Sequence, residues 1–184
     1  ISAEYATPSA MIGPGDLAPY ESDQTTHFSV VDKAGNAVSN TYTINLNYGS
    51  GLVAEGTGVL MNNEMDDFSA KPGVPNAFGL VGGDANAVQA SKRPLSSMTP
   101  TIVLKDGKPV LVTGSPGGSR IISAVTQIIV DVIDYRMDIA AAVAAPRIHH
   151  QWLPDEVRIE RGFPDEVLAE LKAKGHKLVE PLGY

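Results

Sequence analysis

The pattern of apolar and polar residues predicts a β-hairpin near the start of this chain. Residues 25–32 alternate as a strand, residues 33–36 have the composition of a turn, and residues 37–46 alternate again as a second strand. Upstream of the hairpin, residues 1–24 are rich in Pro, Gly, Ser and Ala and lack periodicity. We therefore divide the chain into an upstream tail, residues 1–24, and one domain, residues 25–184.

The middle of the chain contains few regular elements. A glycine-rich stretch at residues 48–58 precedes a short predicted strand at 59–61, and residues 62–97 are polar without periodicity. Irregular segments of this length are uncommon inside compact domains, and they are usually functional. We therefore expect residues 62–97 to contribute to a functional site.

The second half of the chain predicts another hairpin and a buried helix. The hairpin covers residues 101–113 and turns at Lys105-Asp106-Gly107-Lys108. A glycine-rich turn at 114–119 then opens a helix that is apolar over much of its circumference. This pattern predicts that the helix is buried. Its apolar positions are Ile121, Ile122, Val125, Ile128, Ile129, Val132 and Ile133.

Two further helices and a strand are predicted towards the end of the chain. Asp138 has the position of an N-cap for a helix at 139–144, and residues 156–159 form a short strand. Residues 164–174 have the pattern of an amphipathic helix that ends at Gly175. Hairpins followed by helices indicate an α+β fold in which helices cover sheets in layers.

Length, charge and composition exclude several classes of function. A chain of 184 residues can form one domain with a sizeable core, or one large piece of a two-chain protein. The net charge of −7 and the scattered distribution of the 14 Lys and Arg residues argue against nucleic-acid binding. The absence of cysteine excludes disulfides and thiolate metal sites. No apolar run approaches the length of a membrane span, and no signal peptide is evident.

Thr25 is the candidate nucleophile because it stands at the head of the first predicted strand. A threonine hydroxyl alone is a poor nucleophile, but a free α-amino group on the same residue can accept its proton. Freeing that amine requires cleavage of the Gln24–Thr25 bond. In the second strand, period-two alternation predicts that Thr41, Thr43 and Asn45 share a polar face. That face either lies beside the nucleophile or faces solvent.

Four other segments carry candidate chemistry, each with a plainer alternative. The glycine-rich turn at 114–119 offers backbone N–H groups to an anion or oxyanion, or it is simply a tight turn. The acidic loop at 62–67 could bind a cation such as an ammonium group, or be a solvated turn. Ser96 and Ser97 could bind a carboxylate, or be idle. His149 and His150 are structural or metal ligands, and we favour the structural role because no third ligand is evident.

Five of these segments together resemble motifs of the γ-glutamyltranspeptidases, which belong to the N-terminal-nucleophile hydrolase superfamily. The first, QTTHFSVVD at 24–32, is similar to the autocleavage site of that family. The others follow in the family's order: NNEMDDFS at 62–69, KRPLSSM at 92–98, GSPGGSR at 114–120 and APRIHHQW at 145–152. The likeness covers nearly all of residues 21–180.

The resemblance implies a four-layer αββα sandwich of the N-terminal nucleophile hydrolase type. Residues 25–184 would be its small-subunit part without the last strands, and residues 1–24 would be the end of the large subunit or a linker. The implied partner is the large subunit of the same precursor, in a heterodimer located in the bacterial periplasm or secreted. No cofactor, metal, nucleic acid or membrane span is expected.

The resemblance also assigns catalytic roles. Thr25 would attack first its own peptide bond to Gln24 and then the γ-glutamyl amide, with its freed amine as base. Thr43 would hydrogen-bond the Thr25 hydroxyl, and Thr41 would act mainly in processing. The N–H groups of Gly117 and Gly118 would form the oxyanion hole.

The remaining roles concern substrate binding and specificity. Asn45, Glu64 and Asp67 would hold the α-ammonium group of the substrate, and Ser96 and Ser97 would hold its α-carboxylate. The implied donors are glutathione and related γ-glutamyl compounds, and the acceptors are amino acids, dipeptides or water. The alternatives are an uncleaved inactive precursor or structural fragment, and an acylase of the family acting on glutaryl-β-lactams or poly-γ-glutamate.

Three features depart from the family pattern. Glu64 stands where bacterial relatives often have Gln, and an acid there should be compatible with an ammonium group. Residues 72–83 match the family's active-site lid, but Phe78 replaces a Tyr whose hydroxyl latches the lid to the equivalent of Asn45 in some members. We therefore expect a looser lid. The large subunit, which supplies an Arg for the substrate carboxylate in this family, is not part of the sequence.

Overall fold

The computed structural model of the protein describes residues 25–180. The predicted tail, including Gln24, lies outside the described residues. Strands β1 (Thr26–Val31) and β2 (Ala37–Tyr42) form the first predicted hairpin. They are antiparallel, with Thr26 opposite Tyr42. The turn between them is built by the Asp32 carboxylate, which accepts backbone hydrogen bonds from Ala34 (2.8 Å) and Asn36 (2.9 Å).

The predicted length of the second strand is wrong, because β2 ends at Tyr42 rather than at residue 46. Asn45 adopts a left-handed backbone conformation with φ of 75°, which breaks the alternation of side chains. Beyond Tyr42, hydrogen bonds to Asn63 replace the hydrogen bonds of the strand pair. The side-chain Oδ1 of Asn63 accepts from the Leu46 N–H (3.1 Å), and its backbone carbonyl accepts from the side-chain Nδ2 of Asn45 (3.2 Å). Thr43 and Asn45 therefore belong to a loop and do not continue the strand face of Thr41.

The second predicted hairpin is confirmed. It consists of β3 (Thr101–Lys105) and β4 (Lys108–Thr113), which are antiparallel. Asp106 and Gly107 both have positive φ, 51° and 76°, as a tight two-residue hairpin turn requires. The hairpin packs on the first one, since Ser39 Oγ donates to the Thr113 carbonyl at 2.9 Å.

This packing orients the first hairpin with its polar face inward. His27, Ser39 and Thr41 are half-buried, whereas Phe28 and Tyr42 on the opposite face are 45% and 57% exposed. The alternative that the polar face points to solvent is therefore wrong.

The middle segment is irregular, as predicted, but the strand expected at 59–61 is reduced to a single bridge between Val53 and Leu60. Two short 3-10 turns follow, Glu64–Asp67 and Asp84–Asn86. Hydrogen bonds from asparagine side chains organise the rest of this segment.

Helix α1 (Ile121–Ile133) follows a 3-10 turn, Gly118–Arg120, at the predicted position. Burial of α1 is confirmed for one face only: Ile121 and Ile128 are buried, whereas Ile122 is half exposed. Helix α2 (Ile139–Ala144) has the predicted cap, because the Asp138 side chain accepts from the Ala140 N–H at 2.9 Å.

The C-terminal part adds helix α3 (Asp165–Ala173) and a three-stranded sheet. Its strands are β5 (Ile148–His149), β6 (Val157–Ile159) and β7 (Leu178–Val179), with β6 antiparallel to β5 and parallel to β7. Gln127 of α1 bonds the backbone of Ile148, which fixes β5 beside the helix. Within residues 25–180 no helix is long and apolar enough to span a membrane.

Candidate active site

A small cavity, open to solvent on one side, lies where the first hairpin, the irregular segment and the start of α1 meet. Nine of the predicted site residues lie on its wall, although they are up to 93 positions apart in the sequence. They are Thr25, Thr43, Asn45, Glu64, Asp67, Phe78, Ser96, Ser97 and Gly118. The wall is completed by Leu80, Met98, Ser119 and Ile121.

The hairpin register explains why Thr25 and Thr43 meet at this cavity. Thr26 pairs with Tyr42, so continuing the antiparallel ladder by one position places Thr25 opposite Thr43. The Thr43 hydroxyl accepts a hydrogen bond from the Asn45 N–H at 2.9 Å. A hydroxyl that accepts one hydrogen bond can also donate one, so the Thr43 hydroxyl can donate to the Thr25 hydroxyl.

Thr41 lies away from the cavity wall, beside a histidine that sequence reasoning missed. His27 pairs with Thr41 across the hairpin, and its Nδ1 lies 2.7 Å from Thr41 Oγ1. Its Nε2 lies 3.0 Å from Ser29 Oγ. Burial lowers the pKa of His27, which favours the neutral ring. The ring packs so closely on Gly114 that a Cβ there would collide with it.

The glycine-rich turn adopts the strained conformation that only glycine accepts readily. Gly117 has φ of 127° and Gly118 has φ of 57°, so the tight-turn interpretation is correct for the backbone. The turn also leads directly into α1, whose first residue, Ile121, is on the cavity wall. The positive end of the helix dipole therefore faces the cavity, which suits an anion or oxyanion. Gly118 is on the wall, whereas Gly117 is buried next to it.

The acidic loop places two carboxyl groups together at the cavity. Burial, repulsion from Asp67 and a hydrogen bond to Asp67 raise the pKa of Glu64 to about 7. Burial is also the main cause that raises the pKa of Asp67. Glu64 Oε1 is buried and has no hydrogen-bond partner among residues 25–180. A cationic group bound here would supply that partner and favour both ionised carboxylates.

The serine loop is held against the acidic loop by Asn86, another residue that sequence reasoning missed. The Asn86 side chain accepts from the Leu95 N–H (3.0 Å) and donates to the Asp67 carbonyl (2.7 Å). Ser96 and Ser97 reach the cavity as a result, and Ser96 Oγ accepts from the Met98 N–H at 3.2 Å.

Residues 72–83, which we call the lid segment, cover one side of the cavity with Phe78 and Leu80. Asn76 shapes this segment, because its Oδ1 accepts from the N–H groups of Phe78 and Leu80, both at 3.0 Å. Asp66 ties the segment to the acidic loop by accepting from the Ala77 N–H at 3.2 Å.

The two adjacent histidines of the last motif point to different neighbours. His149 is buried and bonds Ser123 Oγ (2.8 Å) and Gln151 Oε1 (2.9 Å). His150 is exposed and faces Asp155 at 3.2 Å. No group of three or more potential metal-ligating His, Cys, Asp or Glu side chains occurs within residues 25–180.

The elements around this cavity define an α+β protein of the N-terminal nucleophile hydrolase type, as similar solved structures show. An acivicin-inhibited γ-glutamyltranspeptidase matches with a TM-score of 0.81 and 64% identity, covering 84% of this chain and 82% of that chain. A γ-glutamyltranspeptidase from Pseudomonas nitroreducens in complex with L-DON has a TM-score of 0.79 and 54% identity, covering 84% and 82%. The predicted fold class is therefore confirmed.

The chain belongs to the γ-glutamyltranspeptidase family, whose family model matches residues 2–183. The glutathione hydrolase proenzyme of Escherichia coli K12 is 65% identical over 178 residues, which are 97% of this chain and 31% of the relative. The proenzyme of Pseudomonas aeruginosa PAO1 is 54% identical over 175 residues, or 94% and 31%. The chain thus spans less than a third of the length of these curated relatives.

Proposed function

We propose that this chain is the nucleophile-bearing part of a γ-glutamyltransferase that cleaves the γ-glutamyl amide of glutathione and related compounds. The observation that carries the proposal is the shared cavity wall of Thr25, the carboxyl pair Glu64–Asp67 and the serine pair Ser96–Ser97. A γ-glutamyl group ends in an α-ammonium and an α-carboxylate. The two pairs offer partners of matching chemistry on one wall.

Activity begins with cleavage of the bond between Gln24 and Thr25. The Thr25 hydroxyl attacks the Gln24 carbonyl, the peptide bond becomes an ester by an N-to-O acyl shift, and water hydrolyses the ester. The products are a carboxylate on Gln24 and a free α-amine on Thr25. That amine then accepts the proton of the Thr25 hydroxyl in each catalytic cycle.

In the catalytic cycle, Thr25 Oγ attacks the γ-carbonyl carbon and the carbonyl oxygen becomes an oxyanion. The N–H groups of Gly117 and Gly118 stabilise this oxyanion, and removing one such donor typically raises the barrier by about 3 kcal/mol. The proton passes to the leaving amine, which is cysteinylglycine when glutathione is the donor. The γ-glutamyl-Thr25 ester is finally cleaved by water, or by the amine of an amino acid or dipeptide.

Asn45, Glu64 and Asp67 hold the α-ammonium group in this proposal, and Ser96 and Ser97 hold the α-carboxylate. Thr43 orients the Thr25 hydroxyl, whereas Thr41 acts earlier, in processing. The unpartnered Oε1 of Glu64 supports a ligand that carries an ammonium group over a glutaryl group, which lacks one. The acylase alternative is less favoured for that reason.

The large subunit of the same precursor is the proposed partner, in a heterodimer. The outward face of the first hairpin supports this, because Phe28, Val30, Val38 and Tyr42 are each about half exposed. The proposed location is the periplasm or the medium, by likeness to the family.

The test uses the full-length precursor and its Thr25→Ala variant. Intact-mass measurement should show a species beginning at Thr25 for the parent and only uncut protein for the variant, and the parent should turn over glutathione. Persistence of the uncut parent without turnover would favour the inactive-precursor alternative. Turnover of glutaryl amides in place of glutathione would show that the role given to Glu64 and Asp67 is wrong.

A further inference from the structure

The side chain of Gln151 joins three parts of the molecule that surround the cavity, although it is not itself on the cavity wall. Its Oε1 accepts hydrogen bonds from Ser119 Oγ (2.8 Å) and from Nε2 of His149 (2.9 Å). Its Nε2 donates to the backbone carbonyls of Phe78 (3.3 Å) and Leu153 (3.2 Å). Carbonyls can only accept, so the orientation of the amide group is determined by its partners.

Each partner has a definite position relative to the catalytic cavity. Ser119 is the last residue of the glycine-rich turn and is on the cavity wall, as is Phe78 in the lid segment. His149 is buried and is itself bonded to Ser123 of α1 at 2.8 Å. Gln151 therefore connects the lid segment to the N-terminal end of α1, where the glycine turn presents its N–H groups.

The lid segment also approaches Gln151 closely at its next residue. A Cβ atom built on Gly79 would lie 3.6 Å from Gln151 Nε2, and the φ of Gly79 is 75°. Glycine there gives the Phe78 carbonyl an unstrained route to the Gln151 amide. Since Phe78 has no hydroxyl, its side chain cannot hold the lid by a hydrogen bond. Its backbone carbonyl does so instead.

We propose that Gln151 is a positioning residue that holds the lid segment over the acyl-enzyme and fixes it to the oxyanion turn. This inference rests on the proposed function, because it concerns access to the γ-glutamyl-Thr25 ester. A held lid limits the approach of water and leaves the ester to acceptors that bind at the cavity. Loss of the hold should raise hydrolysis relative to transfer.

The decisive variant is Gln151→Glu in the full-length, processed enzyme. A glutamate keeps an acceptor oxygen for Ser119 and His149, but it replaces the donor with an oxygen that repels the carbonyls of Phe78 and Leu153. Backbone hydrogen exchange in the lid segment should then accelerate about fivefold or more, the scale of one lost hydrogen bond. The ratio of hydrolysis to transfer should rise by a similar factor, with the extent of autocleavage unchanged.

Gln127→Glu is the matched control. Gln127 Nε2 also donates to two carbonyls, those of Ser123 and Ile148, both at 2.8 Å, and its Oε1 accepts from the Ile148 N–H at 3.0 Å. The same exchange of amide for carboxylate thus disturbs the contact between α1 and β5 without touching the lid. We expect this variant to match the parent enzyme in the backbone hydrogen exchange of the lid segment and in the ratio of hydrolysis to transfer.

The proposal would be overturned if the two variants changed hydrogen exchange in the lid segment and the ratio of hydrolysis to transfer equally. The role of Gln151 would then be merely structural. Faster lid exchange in Gln151→Glu without any γ-glutamyl turnover in the parent would support the hold on the lid while refuting the proposed function. If Gln151→Glu fails to mature, the uncharged Gln151→Met removes the donor as well, and Gln127→Met is then its matched control.

Discussion

Glu64 and Asp67 give the site its own response to pH. Two carboxyl groups that are partly withdrawn from water and close together cannot both ionise easily, so the pKa of Glu64 rises to about 7. Below that pH the group is protonated and neutral, and above it the group is charged. The attraction for an ammonium group should therefore increase as the pH rises through 7.

This response predicts the pH dependence of donor binding. In the processed enzyme, the KM for a γ-glutamyl donor should fall about fivefold between pH 6 and pH 8, because a charged acceptor binds ammonium more strongly than a neutral one. Glu64→Gln should remove most of this dependence. Steady-state kinetics at several pH values measure it, with the exposed Glu166→Gln as control. A Glu64→Gln enzyme that keeps the full dependence would contradict the assignment.

The site residues differ in how far the sequence could reveal them. Residue type and motif are enough to predict the roles of Thr25, Glu64 and Ser97. His27, Asn86 and Gln151 act through hydrogen bonds to partners up to 73 positions away, such as the Phe78 carbonyl. No local pattern encodes such a partner, so these residues could not be identified from sequence alone.

The first hairpin shows why a correct strand prediction can still leave the orientation open. Alternation places His27 and Thr41 on one face, but which face is covered depends on the second hairpin, 60 residues further on. The polar face is covered here because Ser39, His27 and the chain at Gly114 fit together. The early end of β2 has a similar cause, since Asn63 bonds the side chain of Asn45 and the backbone N–H of Leu46.

The contact between the hairpins gives a stability prediction. Gly114→Ala should destabilise the protein by about 1–3 kcal/mol, because the new methyl group would overlap the hydrogen-bonded His27 ring. Gly83→Ala is the control, since no atom lies within 4 Å of a Cβ there and its φ is −105°. Urea unfolding of the Thr25→Ala precursor compares them without autocleavage. Equal midpoints for the two variants would refute the close contact.

The lid segment gives a prediction about specificity. Phe78→Tyr adds a hydroxyl to the cavity wall that Phe78 shares with the buried Asn45. By likeness to the family, we expect this hydroxyl to bond Asn45 and tighten the lid. The ratio of hydrolysis to transfer should therefore fall, by about two- to fivefold for one added hydrogen bond. Product analysis with a dipeptide acceptor measures this ratio. An unchanged ratio would count against the looser lid that we infer from Phe78.

At the scale of the whole molecule, the fold class was predictable and the extent of its core was not. The helix pattern predicts a buried α1, yet Ile122 and Ile133 are 50% and 46% exposed in this chain. Apolar periodicity shows which helix positions are apolar, but it does not show whether the same chain or a partner chain covers them. The surfaces left open on α1 and on the first hairpin are those that the proposed large subunit would cover.

This distribution predicts how residues 25–184 behave without a partner. Residues 25–184 produced alone should self-associate through the first hairpin, and the double variant Val30→Lys/Val38→Lys should reduce that association. Light scattering coupled to size exclusion measures the mass of each species, with Val167→Lys on α3 as control. In the precursor, the same double variant should lower the yield of heterodimer. A monomeric parent chain would refute the prediction.

The edge of the first hairpin formed by β1 also bears on the order of events during maturation. Among residues 25–180, β1 pairs with β2 and with no second strand, so its other edge, next to Phe28 and Val30, has no strand partner there. Such an edge is a template for strand addition and amyloid-like assembly. Strand addition at this edge joins separate chains, whereas the wall around Thr25 is formed within one chain when it folds. We therefore expect cleavage to follow folding, at a first-order rate that is independent of protein concentration.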